Sequence, residues 1–294
     1  MKPNPKYLNN TTPEFWANVK VISQKLGYVD RKTKKIKVHN LDQIIGLYKK
    51  MNFRTNKLIF NNEITEFGKL LIDYFEYRAD ALENQVQHYL MDLDEAKNLF
   101  DYLYDKYQPQ CEIPMNKQGG EKGVQNYFTG IVNILLEVNI GEYDIKYSAS
   151  ELTAFTLNKV PFRSLSRRVD GSFPSVINPI ALWEIKEYYH TKTFGSRVAD
   201  GVYETQLDGL ELNEVRKTLD KNIYHYLMID SKFTWWKLGR SYLCRIFDMM
   251  HMGLLTEAMF GKEVVDRIPI ITKDWIQDYE RLKDFRDFNI NYPL

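Results

Sequence analysis

The stretch Val169–Lys186, VDGSFPSVINPIALWEIK, constrains this chain more than any other. Side chains of a strand alternate between faces, so in the apolar run Ile180–Glu187 the residues Leu182, Glu184 and Lys186 share one side, and Ala181, Trp183 and Ile185 the other. Apolar residues on both sides predict a strand covered on both faces. A shorter β-like run, Leu165–Asp170, precedes it. If the two runs pair as neighbours, Asp170 and Glu184 converge with Lys186 beside them. Two carboxylates suit a hard divalent cation, and a nearby ammonium suits an attacking water. The competing reading is a strand edge on which Glu184 and Lys186 face solvent. It is the weaker one, because burying an acid and a lysine on a covered strand without a task costs free energy.

The surrounding elements follow from periodicity. Pro13–Leu26 reads as a helix with Phe15, Val19, Ile22 and Leu26 on one face and Gly27 as its stop. Arg31–Lys37 is a basic, polar connector, and Asn40 then caps a helix carrying Ile44, Ile45 and Tyr48. A short run, Leu58–Phe60, meets the turn-like pair Asn61-Asn62. Ile64–Tyr77, Leu82–Leu90 and Leu93–Tyr107 continue as helices. This order predicts a mainly helical N-terminal domain over 1–110. Helix, turn, helix and β-like strip also match a winged helix-turn-helix that lies in a DNA groove. A plain helical scaffold explains the same order with fewer assumptions and is preferred.

Pro109–Gly120, PQCEIPMNKQGG, marks a boundary, and the pattern changes over 111–294. Glu121–Val138 reads as a helix, and Leu152–Leu157, Leu165–Asp170 and Ile180–Glu187 as strands. Ser196 caps a helix running through Val198 and Val202 towards Leu219, with Gly209 as an irregularity. Ile223–Ile229 is a buried strand, Gly239–Phe260 a helix and Arg267–Ile271 a last short strand. The fold class is therefore α/β, a central mixed sheet flanked by helices.

Forty lysines and arginines against 39 acids leave a net charge of +1, so any pull on nucleic acid must come from a local patch. Cys111 and Cys244 match no disulfide or metal spacing, which points to a reducing, cytoplasmic compartment. No apolar run reaches the length that spans a bilayer, so no membrane partner is expected. His39, His88, His190, His225 and His251 form no ligand pair, and zinc is not expected. Neither a P-loop nor a Gly-x-Ser-x-Gly elbow occurs.

Asp170, then Glu184-x-Lys186 on an apolar strand, then a helix and a buried strand resemble the PD-(D/E)xK nucleases, type II restriction endonucleases in particular. The resemblance covers about Glu121 to Ile229, and Val169 stands where the family name has proline. It implies a restriction-endonuclease-like core and a Mg²⁺-dependent endonuclease that cuts double-stranded DNA as a homodimer. Carried onto this chain, Asp170 and Glu184 bind Mg²⁺ with the backbone carbonyl of Ile185, and Lys186 holds or deprotonates the attacking water. Glu121 and Glu137 lie on the preceding helix, where the family often keeps one more acid facing the site. Favourable charge at a helix N-terminus explains Glu121 more simply, and solvation explains Glu137.

Arg163, Arg167 and Arg168 precede Asp170, and Lys192 and Arg197 follow the second strand. These five can clamp DNA phosphates or pair with acids such as Asp200 and Glu204, and both readings stand. Gln206 and the pair Trp235-Trp236 read as packing, although the tryptophans could stack on a base. The function expected is a restriction or similar defence nuclease. Two alternatives stay open: a non-catalytic DNA-binding protein using its N-terminal helices, and a nuclease of the same core acting on RNA or branched DNA in repair.

Overall fold

A computed structural model describes residues 1–115, 123–146 and 150–288. The N-terminal part consists of α1 (Pro5–Asn9), α2 (Pro13–Leu26), α3 (Leu41–Lys50) and α4 (Glu66–Ala81), with a small hairpin, β1 (Ile59–Phe60) and β2 (Glu63–Ile64), between α3 and α4. Side chains close the helix starts. Thr12 accepts from the Phe15 N–H, Asn40 from the Gln43 N–H in a capping box, and Thr65 from the Gly68 N–H. Each cap satisfies a donor that the first turn leaves unpaired. A π-helical turn, Leu82–Val86, and the short α5 (Gln87–Tyr89) lead out of α4.

The chain continues through α6 (Leu93–Tyr107), α7 (Tyr127–Ile140) and a hairpin of β3 (Ala154–Leu157) and β4 (Val160–Ser164). The central sheet holds β5 (Gly171–Phe173), β6 (Ala181–Glu187), β7 (Tyr224–Asp230) and β8 (Glu257–Phe260) in that order. It is mixed: β5 runs antiparallel to β6, while β6, β7 and β8 are parallel. Parallel neighbours need a crossover, supplied by α8 (Ser196–Leu219) and α9 (Arg240–His251), and α10 (Glu263–Phe288) closes the described chain.

Alternation sorts the sheet residues onto two covered faces. Trp183, Tyr226, Met228 and Met259 pack against α6, α7 and α10, where Trp183 stacks on Trp275 at 5.6 Å. On the other face, Leu227, Ile229, Ala258 and Phe260 pack with α9 and with the N-terminal helices. Leu182 meets Leu212 and Val215 of α8 in a third cluster. The N-terminal helices thus complete a sheet core, and α6, which precedes the Pro109–Gly120 linker, packs on α7 beyond it.

A buried polar cluster joins α4 of the N-terminal part to α9 beside the sheet. Arg78 of α4 donates to both carboxylate oxygens of Asp248 on α9, at 3.0 and 3.1 Å, and the Tyr74 hydroxyl donates to the same carboxylate at 2.6 Å. Both charged partners are buried. At the junction itself, the Met91 N–H donates to Asp230 Oδ1 and the Met91 carbonyl accepts from the Lys232 N–H, each at 2.9 Å.

Several segments depart from the sequence reading. Leu165–Asp170 is not a strand although burial alternates along it: the segment pairs with no described neighbour as a strand, β4 ends at Ser164 and β5 begins only at Gly171. Helix α7 starts at Tyr127, with 116–122 outside the described residues. The helix after Gly239 ends at His251, where Gly253 takes a φ of +75° and the chain turns into β8. Arg267–Ile271 lies inside α10, whose buried Val264, Ile268, Ile271 and Trp275 follow helical spacing. Pro269 among β-branched isoleucines hides that period in the sequence. Gly195, not Ser196, is the N-cap of α8, which runs through Gly209 without a break. No described helix is long and apolar enough to cross a membrane.

Replacing Asp248 by alanine strands the Arg78 cation in the core, with an expected loss of about 3–5 kcal/mol of stability. A urea unfolding midpoint equal to that of the parent would show that the ion pair contributes nothing to the joint.

Candidate active site

Strand register builds the centre of the site. Gly171 pairs with Trp183 and Ser172 with Leu182, so Asp170, one residue before β5, arrives opposite Glu184. Its Oδ2 accepts from the Ile185 N–H at 2.7 Å. Gly171 makes this approach possible: the Trp183 indole lies across it, and an added Cβ would sit 2.1 Å from the ring. Glu184 is 0 % exposed. Its Oε2 accepts from Lys186 Nζ at 2.8 Å and its Oε1 from Arg167 Nη1 at 2.7 Å. The Lys186 stem runs along α8 at Gly201, where a Cβ would come within 3.3 Å of Lys186 Cε. Asp170, Glu184 and Lys186 therefore meet at one place.

Helix α8 brings further acids to the same place. Glu204 Oε2 lies 3.6 Å from Lys186 Nζ and 3.5 Å from Arg167 Nη2, and Asp208 Oδ2 lies 2.6 Å from Arg167 Nη1. Glu211, the next acid along this face, accepts from the Ser166 N–H at 2.9 Å and approaches Arg163 Nη2 at 3.5 Å. Arg163 also pairs with Glu214 at 3.0 Å. Arg163 and Arg167 thus turn to α8, while Arg168, Lys192 and Arg197 stay exposed. Of these three, Arg168 donates to the Ser150 carbonyl at 3.3 Å, and Arg197 lines the cleft beside Lys186.

The remaining sequence candidates lie elsewhere. Glu121 falls outside the described residues. Glu137 accepts from the Gln110 N–H at 3.1 Å and so ties down the linker. Trp235 packs on Tyr188 at 5.8 Å and Trp236 is buried, which leaves neither to stack a base.

The cleft, about 370 Å³, is lined by Asp170, Lys186, Tyr188, Arg197, Asp200 and Glu204 among others. Burial works against the Glu184 anion, but Lys186 and Arg167 outweigh it and hold the carboxyl below its ordinary value. Asp170 keeps an exposed surface at the cleft mouth. Crowding by the protein and then the Glu184 charge push its carboxyl up to about 7, against the pull of Lys186. Burial disfavours the Lys186 ammonium, yet Glu184 and Asp170 raise it above the usual lysine value. Burial also lifts Asp208 to about 7 in spite of Arg167, and its Oδ1 is buried without a hydrogen-bond partner among the described residues. On the opposite face of β6, burial lifts Glu187 to about 7 although the Thr129 N–H and hydroxyl both donate to it at 2.9 Å.

Among the described residues, no three His, Cys, Asp or Glu side chains converge as a protein cage for a metal does. The donors present are two carboxylates, Asp170 on the cleft wall with Ile185, and Glu184 buried behind them. That set fits Mg²⁺, which keeps several waters and takes one or two protein carboxylates. The Asp170 carboxyl is raised first by burial and then by the Glu184 charge, and a bound dication would offset both by favouring the anion.

The sequence reading names Asp200 and Glu204 as acids that can pair with the flanking cations, and Arg167 does approach Glu204; Asp208, Glu211 and the contact of Arg167 with Glu184 escape it. One signal was present: Asp200, Glu204, Asp208 and Glu211 recur every three or four residues, which places them on one helix face.

A carboxyl titration by NMR should place Asp170 near 7, and Glu184→Gln should lower it only in part, because desolvation remains. The folded-state pKa lies above the unfolded one, so ionising Asp170 withdraws stability as pH rises from 3.8 towards about 7. Asp170→Asn should flatten that part of the stability curve, whereas an Asp170 midpoint at the ordinary value would dismiss the crowded-carboxylate account.

Residues 1–85 match a model described as Domain of unknown function (DUF7690), and residues 91–275 match one described as Domain of unknown function (DUF7687). The matches meet where the π-helical turn and α5 lead into α6. No curated protein and no solved structure matches the chain. The second match takes in the whole sheet and every residue of the cleft, and over those residues the chain belongs to the DUF7687 family.

Proposed function

We propose that the chain is a Mg²⁺-dependent nuclease that hydrolyses phosphodiester bonds of double-stranded DNA, in a restriction or similar defence system. The observation that carries this reading is the meeting of Asp170, Glu184 and Lys186 at an open cleft. Element order supports it. Helix α7, a bridge from Lys146 to Ser172, then β5, β6, α8 and β7 follow the order of a restriction-endonuclease-like core, with the β3–β4 hairpin inserted.

Asp170 and Glu184 would hold the metal together with the Ile185 carbonyl. When bound, Mg²⁺ polarises the scissile phosphate and offsets charge on the leaving oxygen. Lys186, kept protonated by its acidic neighbours, donates a hydrogen bond to the attacking water and orients it. Arg167 positions Glu184 by pinning the oxygen that Lys186 does not reach. Arg197 at the rim, with Arg168 and Lys192 nearby in sequence, offers exposed positive charge to neighbouring phosphates. Cutting both strands takes two such centres, so the active form is a homodimer.

Nicking of plasmid DNA should require Mg²⁺ and fall by about 10²- to 10⁴-fold in Lys186→Ala, assayed at a temperature where circular dichroism shows the variant folded, since it loses one of the two cations on buried Glu184. Nicking that survives either EDTA or this substitution would overturn the proposal. Discrete bands from a digest of mixed DNA would identify a sequence-specific cutter, and a smear a non-specific one.

A further inference from the structure

We infer that the basic hairpin Val29–Lys37, together with Arg240 and Arg245 of α9, forms a surface that binds the phosphate backbone of duplex nucleic acid and continues outward from the cleft. The identity of the polyanion rests on the nuclease reading; the surface itself rests on separate observations. Arg31, Lys32, Lys34, Lys35 and Lys37 place five cations in seven residues with no acid among them, in a chain whose net charge is only +1.

The backbone of this segment is tied down. Val29 bridges to Ile36, the Asp30 N–H donates to the Lys35 carbonyl at 2.8 Å, and the Lys37 N–H to the Tyr28 carbonyl at 2.9 Å. Ile36 is buried, and its N–H donates to Glu83 at 2.6 Å. Asp30, the acid that precedes the run in sequence, is spent on the turn: its carboxylate accepts from the N–H groups of Lys32 and Thr33 and from the Thr33 hydroxyl. Lys37 donates to the Leu26 carbonyl at the end of α2. That leaves Arg31, Lys32, Lys34 and Lys35 exposed, with no ion pair among the described residues. Like charges held on a fixed turn repel one another, and a partner of opposite charge removes that cost.

The arginines of α9 extend the surface. Arg240 lies 4.2 Å over the Trp236 ring and donates to the Lys34 carbonyl, so it touches the hairpin directly. Arg245 sits between Tyr28 at 4.4 Å and Tyr242 at 4.5 Å. A guanidinium seated on an aromatic ring is held in place before a phosphate arrives and loses little freedom when it does. Tyr242 in turn lies 4.7 Å from Phe194, two residues before Ser196 and Arg197 of the cleft. Contacts therefore run without a gap from the hairpin to the cleft rim. That continuity favours a polymer with repeating phosphates over an acidic protein or an anionic membrane.

Binding of a labelled duplex is measured by anisotropy on the full chain in EDTA, where no hydrolysis intervenes. The joint variant Arg31→Ser, Lys32→Ser, Lys34→Ser and Lys35→Ser should bind about tenfold or more weakly, with a log K against log salt slope shallower by up to about 3.6. Lys97→Ser with Lys106→Ser, on α6 across the sheet, should bind as the parent does. Lys32→Glu and Lys35→Glu, tested singly, should weaken binding in the same direction and stand in if the joint variant misfolds. Unchanged affinity and slope overturn the inference, as do an equal loss in the α6 variant and binding to phosphatidylserine vesicles without binding to duplex. If nicking is absent but the hairpin variants lose duplex, the nuclease reading fails and this surface stands. If nicking is present but the variants bind normally, the surface fails alone.

Discussion

The charge of Glu184, fully buried, governs the arrangement around it. A carboxylate in that position is tolerable only with cations in contact, and it has two, Lys186 from its own strand and Arg167 from the loop before β5. Those cations are then balanced by acids from α8 and from Asp170. The cluster holds four carboxylates, Asp170, Glu184, Glu204 and Asp208, against two cations. With every group ionised, the surplus is two negative charges. The fold meets part of that surplus by raising Asp170 and Asp208 to about 7, where each can carry a proton. One divalent cation would balance it outright.

Legibility in the sequence tracked the range of the interaction. Strand alternation is local, so the shared face of Leu182, Glu184 and Lys186 and the double coverage of β6 could be read directly. The approach of Asp170 needed only a neighbouring strand, and β5 supplies it, although it begins one residue past the end of the β-like run read at Leu165–Asp170. Arg167 could not be read as a Glu184 partner, because it lies in an irregular loop where no period fixes its direction. The α8 acids depended on how a helix crosses the sheet, which is a tertiary matter. The error at Arg267–Ile271 has a different origin: Pro269 and β-branched neighbours imitate a strand, and only burial of Val264, Ile268, Ile271 and Trp275 on one side restores the helical period.

Charge is distributed unevenly over the molecule in spite of its near-neutral total. Acids gather inside the cleft against Lys186 and Arg167, while unpaired cations gather on the hairpin between α2 and α3. Negative charge is thus held within a pocket and positive charge outside it, so the hairpin cations do not neutralise Asp170 and Glu184. Net charge conceals both features, since it sums over the whole chain and keeps no record of position.

The short passage at Met91 carries a mechanical consequence. Its N–H is taken by Asp230 and its carbonyl by Lys232, while the neighbouring Tyr89 carbonyl accepts from the Lys262 N–H at 3.0 Å. Asp230 lies in register with Glu187, the residue that follows Lys186. The passage between the two family matches is thus pinned to the end of β7 and to the start of α10. A load placed on the front helices passes through Asp230 to β7 and on to its neighbour β6.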